Sequence, residues 1–335
     1  MATQPIFTDA SWLPHRLDLP RRALEFVRIP RETHSRLTFL DDAYIGKAEA
    51  TAIPLSALAQ LRPVPGARLT FIFHSAFCCS TLLARALDVP GVAMPLKEPA
   101  ILNAAAALKR DGQDPTSLLG PLLTLLERPF TGNEAIVIKP SNVVNILIDP
   151  LMRHRPFAKA LLLYAPLPDF LISVAKKGMW GRIWARRLYR QLEREPGFEP
   201  GYSQTDLFEQ TDLQIAALGW LQQQAQFAAI VERLRGRVRT LRSDVLLGHK
   251  ASILARLADF FALPFSAAQV GAIVDGAAFA HHSKRIGSDY GDRAREAESA
   301  QAKTAHGAEI AMVVKWAETI GDQFGIPMTL GSPLL

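Results

Sequence analysis

The amino-acid sequence predicts an α/β domain with a central parallel sheet. Short apolar runs alternate with longer segments of helical periodicity, which is the pattern of strands joined by crossover helices. Four runs have the continuous apolar character of strands that are buried on both faces, namely residues 69–73, 135–138, 160–163 and 238–241. The chain has 335 residues, 49% of them hydrophobic, and this is enough to bury a large core around such a sheet.

Helical periodicity is clearest between the third and fourth runs. Over residues 211–234, apolar side chains recur at the spacing of one helix face; Thr211 is placed to cap the start, and Gly236 follows the end. Residues 251–261 and 310–320 show the same periodicity over shorter lengths. The alternation of these helices with the apolar runs supports crossover connections between parallel strands.

Two further segments complete the predicted organisation. Residues 1–66 are rich in proline and contain short alternating runs at 25–29 and 37–40, which predicts a small strand-bearing N-terminal appendage. The main domain would then comprise residues 67–335. Within it, residues 279–307 are dense in charged side chains and lack periodicity, so we expect a lid-like segment that is part loop and part frayed helix.

The composition of the chain indicates which ligands the protein could bind and in which cellular compartment it would be found. A net charge of +6 suits an anionic ligand such as a nucleotide, but it does not by itself indicate a nucleic-acid partner. The two cysteines, Cys78 and Cys79, are neighbours and cannot pair without strain, which favours a reducing compartment. The first thirty residues lack a secretory signal pattern, and apolar stretches such as 160–166 are too short to cross a bilayer. We therefore expect a cytoplasmic protein without a membrane span.

The first apolar run leads into the candidate site. It is followed by a loop and by a helix that begins near Ser80 and Thr81, and anions bind at such helix starts beyond parallel strands. A loop that binds nucleoside triphosphates needs glycines and a lysine before its Ser/Thr. Here His74 and Cys79 occupy the glycine positions and Ser80 occupies the lysine position. This pattern disfavours an ordinary Mg-dependent ATPase or GTPase.

The loop resembles that of a known family. Residues 77–83, Phe-Cys-Cys-Ser-Thr-Leu-Leu, are similar to the phosphosulfate-binding loop Arg/Lys-Ser-Gly-Thr-Thr-Leu-Leu of bacterial and Golgi-type sulfotransferases. Phe77 stands where that family has a cation, and Cys79 stands where it has glycine. Further stretches resemble elements of the family in the same order; they are residues 96–99, 137–142, 164–173, 241–246 and 284–287. The likeness spans roughly residues 67–295.

The resemblance implies a three-layer P-loop (sulfotransferase-like) fold. It also implies transfer of a sulfuryl group from 3′-phosphoadenosine-5′-phosphosulfate to a hydroxyl or amine of a small molecule or glycan. Such a transfer needs a base at the acceptor and cations around the moving group, and the matching positions are Glu98 as base with Lys97 and Lys139 as stabilising cations. The implied cradle for the phosphosulfate is Ser75, Ala76, Phe77, Cys78, Cys79, Ser80 and Thr81, while Ser173, Lys284 and Arg285 would hold the 3′-phosphate.

Simpler interpretations exist for several of these residues. Glu98 would pair with Lys97 or cap a helix that begins near Pro99, and Ser80 and Thr81 would cap their own helix. The two cysteines are most simply small core residues.

A basic and aromatic segment follows the third apolar run. Its side chains at spacing four are Trp180 and Trp184 on one face, and Arg182, Arg186 and Arg190 on another. The tryptophan face is predicted either to pack in the hydrophobic core or to form a hydrophobic wall against which the acceptor binds. The arginines predict a solvated face or contacts to a 3′-phosphate or an acidic acceptor.

No metal is expected, because His281 and His282 lack the spaced partners of a zinc site. Two alternative functions stay open. One is a catalytically degenerate P-loop protein that binds a nucleotide or acts as a scaffold. The other is a P-loop kinase-like NTP-dependent transferase with Asp244 as the acidic metal partner, which ranks last because the loop lysine is absent.

Overall fold

The computed structural model describes residues 5–62, 66, 68–280 and 292–335. In these residues the strands form a three-stranded antiparallel sheet and a five-stranded parallel sheet. The strands are β1 Trp12–Asp18, β2 Ala23–Arg28, β3 Ala50–Pro54, β4 Leu69–His74, β5 Ala93–Lys97, β6 Ala135–Lys139, β7 Lys159–Tyr164 and β8 Val238–Arg242. The predicted α/β class, with a central parallel sheet and a small N-terminal sheet, is confirmed.

Helices occupy most of the remaining described chain. The α-helices are α1 Pro5–Thr8, α2 Arg31–Arg36, α3 Asp42–Ile45, α4 Ser80–Ala86, α5 Ala100–Arg110, α6 Thr116–Leu126, α7 Ile148–His154, α8 Leu167–Ala175, α9 Gly178–Leu192, α10 Gln204–Glu209, α11 Asp212–Arg233, α12 Ser243–Gly248, α13 Lys250–Phe261, α14 Ala267–Val274, α15 Ala277–Ala280 and α16 Asp292–Phe324. Two 3₁₀-helices span Leu55–Gln60 and Asn142–Leu147.

All four apolar runs are strands, and each extends one residue further at its carboxyl end than predicted. The added residues are His74, Lys139, Tyr164 and Arg242. Strand β5 is harder to recognise from its own residues because Pro95 interrupts the apolar pattern. It lies at the edge of the parallel sheet, where a missing backbone N–H is tolerated.

The order of the parallel strands places the loop after β4 at a crevice. The order is β5-β6-β4-β7-β8, so β4 lies between β6 and β7. The chain leaves β4 for one side of the sheet, forms β5 and β6 there, and then crosses over to β7 on the other side. Ligands bind in open α/β sheets at this kind of switch point, outside the carboxyl ends of the strands.

The predicted helices are present, with one difference in length. Thr211 caps α11, since its hydroxyl accepts from the Gln214 N–H and the Gln214 side chain accepts from the Thr211 N–H. The helix predicted over residues 310–320 is the last part of the 33-residue α16. Its first half is rich in good helix formers such as alanine and glutamate, but it has no apolar periodicity that would predict it. The lid-like segment thus contains helix from Asp292 onward, and its residues 281–291 lie outside the described chain.

The N-terminal residues pack into the same hydrophobic core as the parallel sheet. Buried side chains of the antiparallel sheet belong to one continuous cluster with those of the main domain, and β1 contacts α5 and α6. The run at 37–40 is not a strand, contrary to expectation. The Leu40 N–H donates to the Lys97 carbonyl over 2.7 Å, so this run lies at the carboxyl end of β5. The domain division at residue 66 stays a prediction.

In the residues that the structure describes, no helix combines the length and apolar character needed to span a bilayer.

Candidate functional site

The loop after β4 has an unusual backbone. Ala76, Phe77 and Cys79 have φ angles of 69°, 50° and 63°, and Glu98, which directly follows β5, has 56°. These four are among the seven non-glycine residues with positive φ in the described chain. Each such residue costs about 1 kcal/mol or more, and strain of this kind concentrates at functional sites. Positive φ angles therefore occur at Ala76, Phe77, Cys79 and Glu98, which are all residues that the sequence analysis assigned to the candidate site.

The His74 side chain links the loop to the residue that follows β6, the neighbouring strand in the sheet. Its Nδ1 accepts from the Ala76 N–H over 3.2 Å, and its Nε2 lies 3.0 Å from the Pro140 carbonyl. This network assigns the proton to Nε2, which donates to the carbonyl. The Asn145 side-chain amide donates to the His74 carbonyl over 3.1 Å. His74 thus holds the shape of the loop.

Glu98 and Lys139 form an ion pair beside this loop. Lys139 ends β6 and is fully buried, and its ammonium donates to Glu98 Oε1. The same ammonium lies 5.1 Å from the centre of the Phe39 ring. Glu98 Oε1 is also 3.8 Å from His74 Nε2, and the Glu98 side chain keeps 18% of its surface exposed. The Glu98 carboxylate is thus paired with a buried cation and still reachable from solvent.

Lys97 has different surroundings. It is fully buried, and its ammonium donates to the carbonyls of His34 and Ser35, in α2, over 2.8 and 3.0 Å. Burial, followed by the charge of Arg85, lowers the pKa of Lys97 to about 7. The structure thus brings Glu98 together with Lys139 and directs Lys97 into the N-terminal segment.

Cys78 does not resemble a reactive thiol. Cys78 is buried, and desolvation, with a smaller effect of the Cys79 thiol, raises its pKa to about 11. A thiol with this pKa stays protonated at neutral pH and packs as a small core residue. Cys79 is the N-cap of α4, but its side chain makes no capping hydrogen bond.

The remaining cradle residues offer hydrogen-bond donors. Ser80 and Thr81 are buried in the first turn of α4, where backbone N–H groups lack intrahelical acceptors. Ser75 is completely buried, and its hydroxyl has no hydrogen-bond partner among the described residues. An unpaired buried hydroxyl in the loop that leads into a helix start is a group that could donate to an anionic oxygen. The donor set therefore fits a phosphate or sulfate group.

The carboxyl end of β7 is covered by the C-terminal part of the chain. Tyr164 accepts from the Leu330 N–H over 3.1 Å, and the Ala165 carbonyl accepts from the Trp220 indole over 2.8 Å. A small cavity of about 100 Å³ lies beside Tyr164 and Arg242. Ser173 is partly buried on α8.

Lys284 and Arg285, the other predicted ligands of the 3′-phosphate, lie outside the described residues.

Asp244, the candidate metal partner of a kinase-like enzyme, forms an ion pair with an arginine. The Asp244 carboxylate pairs with Arg242 over 2.7 Å. Within the described residues, no group of three or more His, Cys, Asp or Glu side chains is arranged to hold a metal ion. The expectation of no metal stays a prediction.

The structure adds Phe39, which sequence reasoning missed as part of the site. Its ring covers the Lys139 ammonium although it comes from the N-terminal segment. In the sequence, Phe39 is one apolar residue of a short alternating run, and nothing local indicates a contact with a residue one hundred positions away.

Comparison with known proteins gives distant structural likeness only. No protein-family model and no curated protein matches the chain. The sulfotransferase domain from the curacin biosynthetic pathway is similar over 80% of this chain and 100% of its own, with a TM-score of 0.43 and 14% identity. The sulfotransferase STF9 from Mycobacterium avium is similar over 75% of this chain and 79% of its own, with a TM-score of 0.42 and 13% identity. Both TM-scores are below 0.5, so the functional argument depends on the site itself.

Proposed function

We propose that the protein is a sulfotransferase-like enzyme that transfers a sulfuryl group from 3′-phosphoadenosine-5′-phosphosulfate to a hydroxyl or amine. The observation that carries this proposal is the Glu98–Lys139 pair beside the strained loop at residues 75–79. It supplies a base, a cation and a set of anion donors at adjoining strand ends, which is what sulfuryl transfer requires. The motif order from residue 77 to residue 173 supports the same activity.

Residues 75–81 would hold the phosphosulfate through the buried Ser75 hydroxyl and the first amides of α4. The proposal keeps Ser173, Lys284 and Arg285 as ligands of the 3′-phosphate. Lys97 is not included, because its ammonium is used by the carbonyls of α2.

Glu98 would act as the general base. Its carboxylate lies against the Lys139 ammonium and keeps 18% of its surface exposed, so an acceptor could reach it and pass a proton to it. As the acceptor oxygen or nitrogen bonds to sulfur, its proton passes to Glu98 and the bond between sulfur and the bridging phosphate oxygen breaks. The loop amides and Lys139 would stabilise the charge that stays on the departing nucleotide phosphate and the sulfuryl oxygens.

Titration calorimetry with 3′-phosphoadenosine-5′-phosphate tests the donor assignment. We expect binding by the wild type, weaker binding by Ser75→Ala, and unchanged binding by the matched control Lys97→Met. Absence of heat at millimolar nucleotide would contradict the proposal. Mg-dependent binding of ATP in its place would favour the kinase-like alternative.

The degenerate alternative has one observation in its favour. The Glu98 charge is already balanced by Lys139, as it would be in a purely structural pair. This alternative predicts that the nucleotide binds while Glu98→Gln leaves cellular function intact. Transfer of radiolabelled sulfate to an acceptor by the wild type, and its loss in Glu98→Gln, would exclude a degenerate protein.

A further inference from the structure

An aromatic surface begins at the loop and runs outward to solvent. The Phe77 ring centre is 4.7 Å from that of Trp184, and Trp184 in turn is stacked with Trp180 at 6.4 Å and an interplanar angle of 15°. Trp180 is 60% exposed. We call these three residues the aromatic wall. Most proteins bury tryptophan, so a row of rings that leads from a candidate anion site to the surface indicates a ligand.

The wall is held by close packing of two helices. A Cβ on Gly181 would lie 2.3 Å from the Val174 carbonyl, so only glycine lets the first turn of α9 approach α8 this closely. Phe170 of α8 contacts Phe77 with ring centres 5.8 Å apart. The orientation of the wall is therefore set by packed secondary structure.

A cation lies on the same surface. The Lys177 ammonium is 5.7 Å from the Phe77 ring centre and 5.4 Å from that of Trp180. Lys176 precedes it in the chain. Ring faces stack on planar aromatic ligands, and an ammonium beside them attracts a negatively charged substituent.

We infer that the aromatic wall binds the acceptor, and that this acceptor is an aromatic hydroxyl or amine compound that carries a carboxylate or a similar anionic group. The inference rests on the proposed function, because it treats Phe77 as the point where the donor loop meets the acceptor. The ring of the acceptor stacks on Trp180 and Trp184, and its anionic group pairs with Lys177. Its hydroxyl or amine is then directed toward the loop.

Two matched probes test the wall. They are 2-naphthol and 6-hydroxy-2-naphthoate, which share the ring system and the hydroxyl and differ by one carboxylate. Calorimetry gives their affinities, and the indole N–H signals of Trp180 and Trp184 in a ¹⁵N-tryptophan sample report where they bind. We expect the wild type to bind the naphthoate about threefold more tightly than the naphthol, as for an exposed ion pair.

The variants separate stacking from charge. Trp180→Ala should weaken both probes about tenfold, the size of a lost stacking contact. Lys177→Met should remove only the preference for the naphthoate. Phe208→Ala is the matched control, since Phe208 is 84% exposed on α10 and outside the wall, and it should change neither affinity. Trp184→Phe, which keeps a ring in place, should retain most of the binding and excludes misfolding as the cause of any loss.

Titration of 3′-phosphoadenosine-5′-phosphate on the same samples distinguishes the two proposals. If the nucleotide binds but neither probe binds, or if Trp180→Ala binds the probes as the wild type does, the acceptor inference is wrong and the proposed function stands. If the probes bind at the wall but the nucleotide does not bind at millimolar concentration, the proposed function fails. If Trp180-dependent sedimentation with phosphatidylglycerol vesicles occurs without probe binding, the wall is a lipid-binding surface and the inference is overturned.

Discussion

Lys97 and Lys139 occupy paired positions at the ends of neighbouring parallel strands, and both are fully buried. Their ammonium groups nevertheless have different partners. Lys139 has a carboxylate and an aromatic face, whereas Lys97 has the two backbone carbonyls of His34 and Ser35. Two lysines at paired positions in the sheet thus have different roles: one forms an ion pair, and the other donates to backbone carbonyls.

The partners of a buried ammonium group indicate its role. An ammonium paired with a reachable carboxylate takes part in a charge arrangement that substrate binding can use. The Lys97 ammonium donates to two backbone carbonyls in the last turn of α2, which would otherwise lack a donor. These hydrogen bonds connect the N-terminal segment with β5. We therefore propose a role in the site for Lys139 and a structural role for Lys97.

Removal of the Lys139 charge should have the largest effect. Lys139→Met leaves the Glu98 carboxylate without its cation, and we expect the free energy of unfolding to fall by about 3 kcal/mol, the lower end for a broken buried pair. The 18% exposure of Glu98 is the reason for the lower end. Urea denaturation measures the change, and binding of 3′-phosphoadenosine-5′-phosphate should be lost. The double variant Lys139→Met/Glu98→Gln should recover part of the stability; no recovery would contradict a charge-pair origin.

Removal of the Lys97 charge should affect stability alone. Lys97→Met leaves two buried carbonyls without a donor, and we expect a loss of about 1–2 kcal/mol on unfolding. Nucleotide affinity should equal that of the wild type. A loss of nucleotide binding in this folded variant would show that Lys97 acts in the site and that the contrast between the two lysines is wrong.

The strain at Cys79 gives a smaller effect. Cys79→Gly removes a side chain that disfavours the left-handed conformation, and we expect it to raise the free energy of unfolding by about 0.5–1 kcal/mol. Ala262→Gly is the matched control, because Ala262 has φ of 55° at the end of α13, outside the loop. Both variants should be more stable in urea, but only Cys79→Gly should change nucleotide affinity. Equal nucleotide affinity in the wild type, Cys79→Gly and Ala262→Gly would show that the strained backbone at Cys79 has no effect on ligand binding.

The pH dependence of stability provides the finest test. The pKa of Lys97 is lowered to about 7 in the folded chain from an ordinary value of 10.5. Between these values the unfolded chain binds a proton that the folded chain does not, so this group makes the protein more stable as pH rises from 7 toward 10. The stability difference between wild type and Lys97→Met should therefore grow in favour of the wild type from pH 7 to pH 9. A difference that stays constant across this range would mean that Lys97 remains charged when buried.

Much of the fold was predictable from local pattern. The four apolar runs are strands because continuous burial on both faces requires continuous apolar residues, and α11 begins after Thr211 because its capping box is a local interaction. The run at 37–40 is not a strand because its backbone pairs with the end of β5, a contact that no local signal encodes. The extent of α16 was underestimated because its first half relies on helix propensity without an apolar face.

The loop after β4 shows the same division. Residues 74–81 are recognisable from the sequence as a turn from a buried strand into a helix, because an apolar run is followed closely by residues at helical spacing. Lys139 likewise follows a predicted strand directly, and Glu98 was indicated by the family resemblance. The pairing of Glu98 with Lys139 could not be predicted in this way, because strand order and side-chain direction depend on the whole sheet. The same holds for Phe77, whose contact with Trp184 depends on how closely α9 packs against α8.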